Sequence, residues 1–299
     1  TTEGATAQGI TNILNDVRHH AASLNYALVI GSHGSGWTFK EDWENYPYNA
    51  KVIKTSHSGT PKANYPTTRF FGSVDDISYA INVTTLAQAI ADAGMKMQYI
   101  LFDNCYMANV ETAYELKDVT NFVVASTSEI MSVGMPYTSM WSSMATPTPS
   151  YSGMVSAFNS FYSNFRYPYG SLSAIDCRKL EELAAVMREV NATCTMADSL
   201  RDSIQILDGF NEPLFYDMAD YTDRLCGDND ILKAKVRKQI TAAIKSCKST
   251  SQLYSYLYVY QSPKYIDVNT FSGLTISDPS VNSVAVKGRK KTKWYKDTH

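Results

Sequence analysis

The sequence predicts an α/β protein: a layered sandwich around a mostly parallel central sheet, followed by a helix-rich C-terminal subdomain. Three observations carry that prediction. Short, continuous apolar runs at 25–30, 97–102 and 121–126 read as strands buried on both faces, as in parallel sheets. Between them lie segments whose apolar residues recur every three or four positions, the βαβ alternation of layered folds. Beyond about residue 178 the helical period takes over, which divides the chain into a core at 1–178 and a helix-rich part with returning strands at 179–299.

Taken in order, Ile10, Ile13, Leu14, Val17 and Ala21 place a helix over about Ala7 to His20. The strand at 25–30 then empties into Gly31-Ser32-His33-Gly34-Ser35-Gly36-Trp37. From Trp37 to about Arg69 periodicity vanishes and Pro47, Pro61 and Pro66 interrupt the chain, so this is a long loop hung from His33. A helix capped by Asn82 or Thr84 follows, with Leu86, Ala89, Ile90 and Ala93 inward and Gly94 at its end. The strand at 97–102 leads to Asp103-Asn104-Cys105-Tyr106-Met107, and Met107, Val110 and Tyr114 begin a helical face. Met154, Phe158, Phe161 and Phe165 mark an amphipathic helix before 170–176, read as the last core strand. Helices are expected at 180–190, 200–207, 214–225 and 231–244. Tyrosines at 254, 256, 258 and 260 alternate with Leu253, Ser255, Leu257 and Val259 as a strand whose tyrosine face suits sheet packing or a carbohydrate or partner surface. The basic stretch at 287–296 reads as a solvated tail or an anion-binding one.

Composition bounds the function. The 299 residues, 44% apolar, suffice for a sizeable core, and a formal net charge of -2 gives no field toward nucleic acid or a membrane surface. No apolar run approaches the roughly 18 residues of a spanning helix, and Thr1-Thr2-Glu3-Gly4 is not a signal peptide. Five cysteines are too sparse for a disulfide scaffold and lack the close pairs of a zinc site. No Gly-x-Ser-x-Gly elbow follows a strand, which removes the support for a serine hydrolase. His19 and His20 share a helix without a third ligand and His57 is isolated, so a metal-dependent hydrolase also fails.

What remains is a His and a Cys, each leaving the C-terminal end of a strand, where sites form in open α/β sheets. Either residue alone has a plain alternative: a small buried hydrophobe for Cys105, a turn residue for His33. Together they make a candidate Cys/His dyad. A helix starting just after Cys105 would lower its thiol pKa through unpaired N–H groups and the macrodipole.

The motifs His33-Gly34-Ser35-Gly36-Trp37 and Asp103-Asn104-Cys105-Tyr106-Met107, each after an apolar strand, resemble those of the clostripain family of cysteine peptidases, in the clan of caspases, legumains and gingipains. The likeness extends through 110–118 and Ala125-Ser126-Thr127-Ser128-Glu129 and resumes in Thr292-Lys293-Trp294-Tyr295-Lys296. It implies a caspase-like three-layer sandwich and a cysteine endopeptidase acting on protein or peptide substrates. His33 and Cys105 would be catalytic, and the backbone N–H groups of Gly34 and Cys105 would form the oxyanion hole. Asp103, with Ser126 and Glu129 in the pocket wall, would bind substrate, favouring Arg or Lys before the cut; Asp103 as a helix cap is the structural alternative. The resemblance further implies a secreted or cell-envelope bacterial protein, no required cofactor (calcium dependence occurs among relatives, though no EF-hand-type loop is present), self-processing in the 37–69 loop after Lys40, Lys51, Lys54 or Lys62, and a separate N-terminal chain of the same precursor covering an otherwise exposed sheet edge. A catalytically silent binding or adhesion protein of the cell surface on the same fold is the rival reading.

Overall fold

The computed structural model of the chain describes residues 6–43, 80–258 and 264–299. The helices are α1 (Ala7–His20), α2 (Val83–Asp92), α3 (Val110–Leu116), α4 (Tyr137–Met144), α5 (Tyr151–Asn164), α6 (Leu180–Thr193), α7 (Met218–Cys226), α8 (Asp230–Ala243), α9 (Ser283–Gly288) and α10 (Lys293–Thr298). The strands are β1 (Ala27–Gly31), β2 (Tyr99–Asp103), β3 (Phe122–Ala125), β4 (Ser171–Asp176), β5 (Ile206–Phe210), β6 (Glu212–Asp217), β7 (Ile244–Ser249), β8 (Gln252–Ser255), β9 (Lys264–Asp267) and β10 (Thr275–Ile276).

The central sheet runs β1-β2-β3-β4-β7. β1, β2 and β3 pair in parallel, β4 is antiparallel to both of its neighbours, and four of the five strands therefore point one way. Alternation along the strands sorts the core into two halves. Ile100, Phe102, Val123, Ala125 and Ile175 face the cluster under α2, α3, α6, α7 and α8, while Tyr99, Leu101, Phe122, Val124, Leu172 and Ala174 face the one under α4 and α5. Helices on both faces of a mostly parallel sheet give the three layers expected.

Sequence and structure agree closely at α1 and α2. Asn82 takes the cap position of α2, although its side-chain oxygen accepts from the Lys40 N–H (3.0 Å) rather than from the helix. Gly94 closes α2 with φ +62, a conformation that costs a residue with a Cβ.

Four expectations are corrected. The strand at 171–176 is not the last of the core, because β7 pairs beyond it; Lys245 and Lys248 make β7 a polar edge without an apolar run to announce it. The helices expected at 200–207 and 214–225 hold only in part: Asp198–Ser203 is a 3-10 helix and 218–226 is α-helical, but 206–207 and 214–217 belong to the β5–β6 hairpin, which Asn211 turns at φ +58. The tyrosine strand is four residues long, with Leu253 and Tyr254 both buried and Tyr254 packed beside Tyr169 and Tyr265. Finally, 287–296 is no solvated tail. Trp294 is fully buried against Tyr114, Lys293 pairs with Glu115 (3.2 Å), and Lys291 pairs with Asp42.

Candidate active site

The register of the parallel pair sets the site. Gly31 lies beside Asp103 at the ends of β1 and β2, so the segments carrying His33 and Cys105 leave the sheet together. They are in contact. A Cβ built on Gly34 would stand 2.1 Å from the Cys105 carbonyl oxygen and 2.8 Å from its nitrogen, so only glycine fits. The Asn104 amide donates to Ser32 Oγ (2.8 Å) and to the His33 carbonyl (3.2 Å), tying one motif to the other. His33 is half-buried and Cys105 is buried.

The turn after β2 departs from the sequence reading. The helix does not begin at Met107: Asn109 is its cap, accepting from the Thr112 N–H at 2.7 Å, and Cys105 sits outside it. The physical reason is Tyr106, whose φ of +65 takes the chain out of the helical region. The helix dipole is thus not aimed at the thiol. The Cys105 sulfur instead accepts from the Ile130 N–H at 3.3 Å, and the Tyr106 N–H donates to the Ser128 carbonyl at 3.1 Å. The Tyr106 ring stacks on Phe215 (5.2 Å between centroids) and meets Phe210 edge-on (5.0 Å), which holds the strained turn.

Asp103 does not cap a helix either. Its carboxylate is buried and accepts from the Met135 N–H (3.1 Å) and the Tyr137 O–H (2.9 Å), both on the segment that follows β3. Ser126 lies in a buried hydroxyl cluster, 3.0 Å from Ser171 Oγ. Glu129 is turned inward, with Oε1 accepting from Ser255 Oγ (3.0 Å) and from the Leu257 N–H (2.8 Å). Of the four lysines in the expected processing loop, Lys40 binds the Ala80 carbonyl (3.1 Å), whereas Lys51, Lys54 and Lys62 lie outside the described residues.

Two features had no signal in the sequence. Asp208 on β5 is fully buried beside Glu129, and burial plus that neighbouring carboxyl push its own well above the ordinary range. Trp37 Nε1 donates to Ser277 Oγ (2.8 Å) while the Ser277 N–H donates to Glu111 Oε1 (2.7 Å), linking the His33 motif to α3. Burial and nearby Asp278 raise the Glu111 carboxyl to about 8, and burial raises Asp278 to about 6. Among the described residues no three His, Cys, Asp or Glu side chains gather as they would around a metal ion, and no helix is long and apolar enough to cross a membrane.

Comparison with known proteins gives the family and the fold. The clostripain-family profile matches residues 3–297. A solved structure of a secreted C11 cysteine protease from Bacteroides thetaiotaomicron, "iotapain", is 40% identical with a TM-score of 0.85 over 99% of this chain and 77% of that one. A clostripain from B. thetaiotaomicron ATCC 29148 in complex with a peptide inhibitor is 41% identical with a TM-score of 0.72 over 77% of this chain and 99% of that one. An inactive zymogen C11 protease from Parabacteroides distasonis, 23% identical with a TM-score of 0.74 over 99% of this chain and 76% of that one, shares the fold. No curated protein matches. The chain belongs to the clostripain family and is a cysteine-type peptidase.

Proposed function

We propose that the peptidase works through a Cys105/His33 dyad and cuts after Arg or Lys. The observation that carries this reading is the contact between the two motifs, with Gly34 pressed on the Cys105 backbone at the end of the parallel strands. The Cys105 thiolate attacks the scissile carbonyl, and His33 protonates the departing amine to leave a thioester. His33 then activates the water that hydrolyses it. The backbone N–H groups of Gly34 and Cys105 stabilise the oxyanion of each tetrahedral intermediate.

Asp103 supplies the negative charge for a basic side chain. The Met135 N–H and the Tyr137 O–H hold its carboxylate in place, and a carboxylate so fixed suits charge-assisted pairing with a guanidinium or ammonium. The inhibitor on the related clostripain, BTN-VLTK-AOMK, places a lysine next to the AOMK group, which supports the same preference here. Ser126 and Glu129 act on the pocket from behind, by holding its wall.

Processing and location belong to the same proposal. The chain cuts itself after a lysine within 37–69, and a strand from the same precursor pairs with β1, whose Val29 is 42% exposed at the sheet edge. The zymogen structure of a relative supports processing, and relatives described as secreted support export.

Fluorogenic peptides differing only in the residue before the cut test the whole scheme. Wild type is expected to turn over Arg and Lys substrates, and Cys105→Ala and His33→Ala to lose that activity. Turnover confined to small apolar residues would discard the role of Asp103, and turnover by Cys105→Ala would discard the nucleophile. Mass spectrometry of the same preparations reads processing: wild type cut after a lysine within 37–69 and Cys105→Ala intact.

A further inference from the structure

Two residues, Ser128 and Ile130, contact the turn that carries the nucleophile, and the residue between them is held from β5. The Ser128 carbonyl accepts from the Tyr106 N–H (3.1 Å), the Ile130 N–H donates to Cys105 Sγ (3.3 Å), and between them the Glu129 N–H donates to Asp208 Oδ2 (3.0 Å). The other Asp208 oxygen accepts from the Gly209 N–H at 2.7 Å. Two buried carboxyls, Asp208 and Glu129, thus stand together behind a single thiol, an arrangement costly to keep for packing alone.

We propose that Asp208 is a positioning residue for Cys105: by fixing the Glu129 amide it aims the Ile130 N–H at the sulfur, and this hydrogen bond stabilises the thiolate. The inference rests on Cys105 being the nucleophile. It replaces the helix dipole that the turn at Tyr106 takes away, since a hydrogen bond to the charged form lowers a pKa. The titratable groups around this arrangement are His33 and Asp103, on the two motifs that meet at Cys105, and Glu129 and Tyr258 beside Asp208. Burial and the neighbouring Glu129 carboxyl favour the protonated form of Asp208.

An acid is required rather than an amide. Both Asp208 oxygens accept from backbone N–H groups, and the hydroxyl of a protonated carboxyl still accepts, whereas the NH2 of asparagine does not. Asp208→Asn therefore keeps size and fold but sets N–H against N–H at one of the two positions.

The test is the pH dependence of Cys105 alkylation by iodoacetamide, read by mass spectrometry on the intact chain, with kcat and KM on a basic peptide. In Asp208→Asn the alkylation midpoint is expected to rise by about one pH unit, with about a tenfold slower rate below it. kcat should fall while KM stays within about twofold. A folded Asp208→Asn with the wild-type midpoint overturns the proposal. Wild-type NMR needs no variant: the Ile130 amide shift should follow the alkylation midpoint, and an Ile130 amide indifferent to Cys105 ionisation overturns it too. If wild-type Cys105 has the midpoint of an ordinary free thiol, the peptidase mechanism fails first, which separates the two readings.

Discussion

Gly34 is the residue on which the geometry of the site turns. A Cβ there meets the Cys105 carbonyl at 2.1 Å, and because that neighbour is backbone no rotamer relieves the conflict. Gly34→Ala is expected to lower kcat by about 10²–10³, the usual cost of losing an oxyanion donor, and steady-state assays of the folded variant check it. Asp103→Asn is expected to cost about 2–5 kcal/mol in kcat/KM for Arg and Lys peptides, which is roughly thirtyfold to several thousandfold, with little change for an uncharged peptide. The placement of His33, Asp103 and Cys105 at the ends of neighbouring strands was legible in the sequence because each follows or ends an apolar run. Asp208 was not: it acts through the backbone of a residue 79 positions away, and no local pattern records that distance.

Among the elements, the buried parallel strands were readable and the hairpins were not. β2 and β3 are apolar on both faces because both faces are covered, so their sequences are continuous hydrophobic runs. β5 and β6 mix inward residues with turn chemistry, and Leu207 and Leu214 imitate a helical period that Asn211 and Pro213 contradict. The start of α3 was misplaced for a related reason, because apolar spacing takes no account of a positive φ at Tyr106. At the far end of the chain, α10 locks onto α3 through Trp294, which is fully buried. Trp294→Ala is expected to destabilise the fold by about 3–5 kcal/mol in urea or thermal unfolding, while Lys290→Ala on the same stretch, an exposed side chain, should change stability by less than about 0.5 kcal/mol.

For the molecule as a whole, two buried carboxyls, Glu111 and Asp278, contribute to the response to pH. Glu111 at about 8 and Asp278 at about 6 lie above their ordinary values of 4.5 and 3.8, so the folded chain holds protons that the unfolded chain has released. Their contribution is fully present below about pH 4 and is lost as pH rises through 6 and then 8. Tm is expected to fall between pH 5 and pH 8, and Glu111→Gln should flatten the upper part of that slope in differential scanning calorimetry. A Tm that rises across the same interval contradicts this assignment. The layered fold itself was legible from sequence because it depends on pattern; this acid pair was not, because Glu111 and Asp278 meet only once α3 and the turn after β10 have packed.

The sheet has two unlike borders. Along β7 the side chains include Lys245 and Lys248, whereas β1 offers Ala27 and Val29 to solvent. Growth by strand addition is consequently one-sided. A precursor strand laid along β1 would cover the apolar border and leave the lysine-bearing rim at β7, which resists further addition, so growth stops after one strand and does not propagate into a fibre.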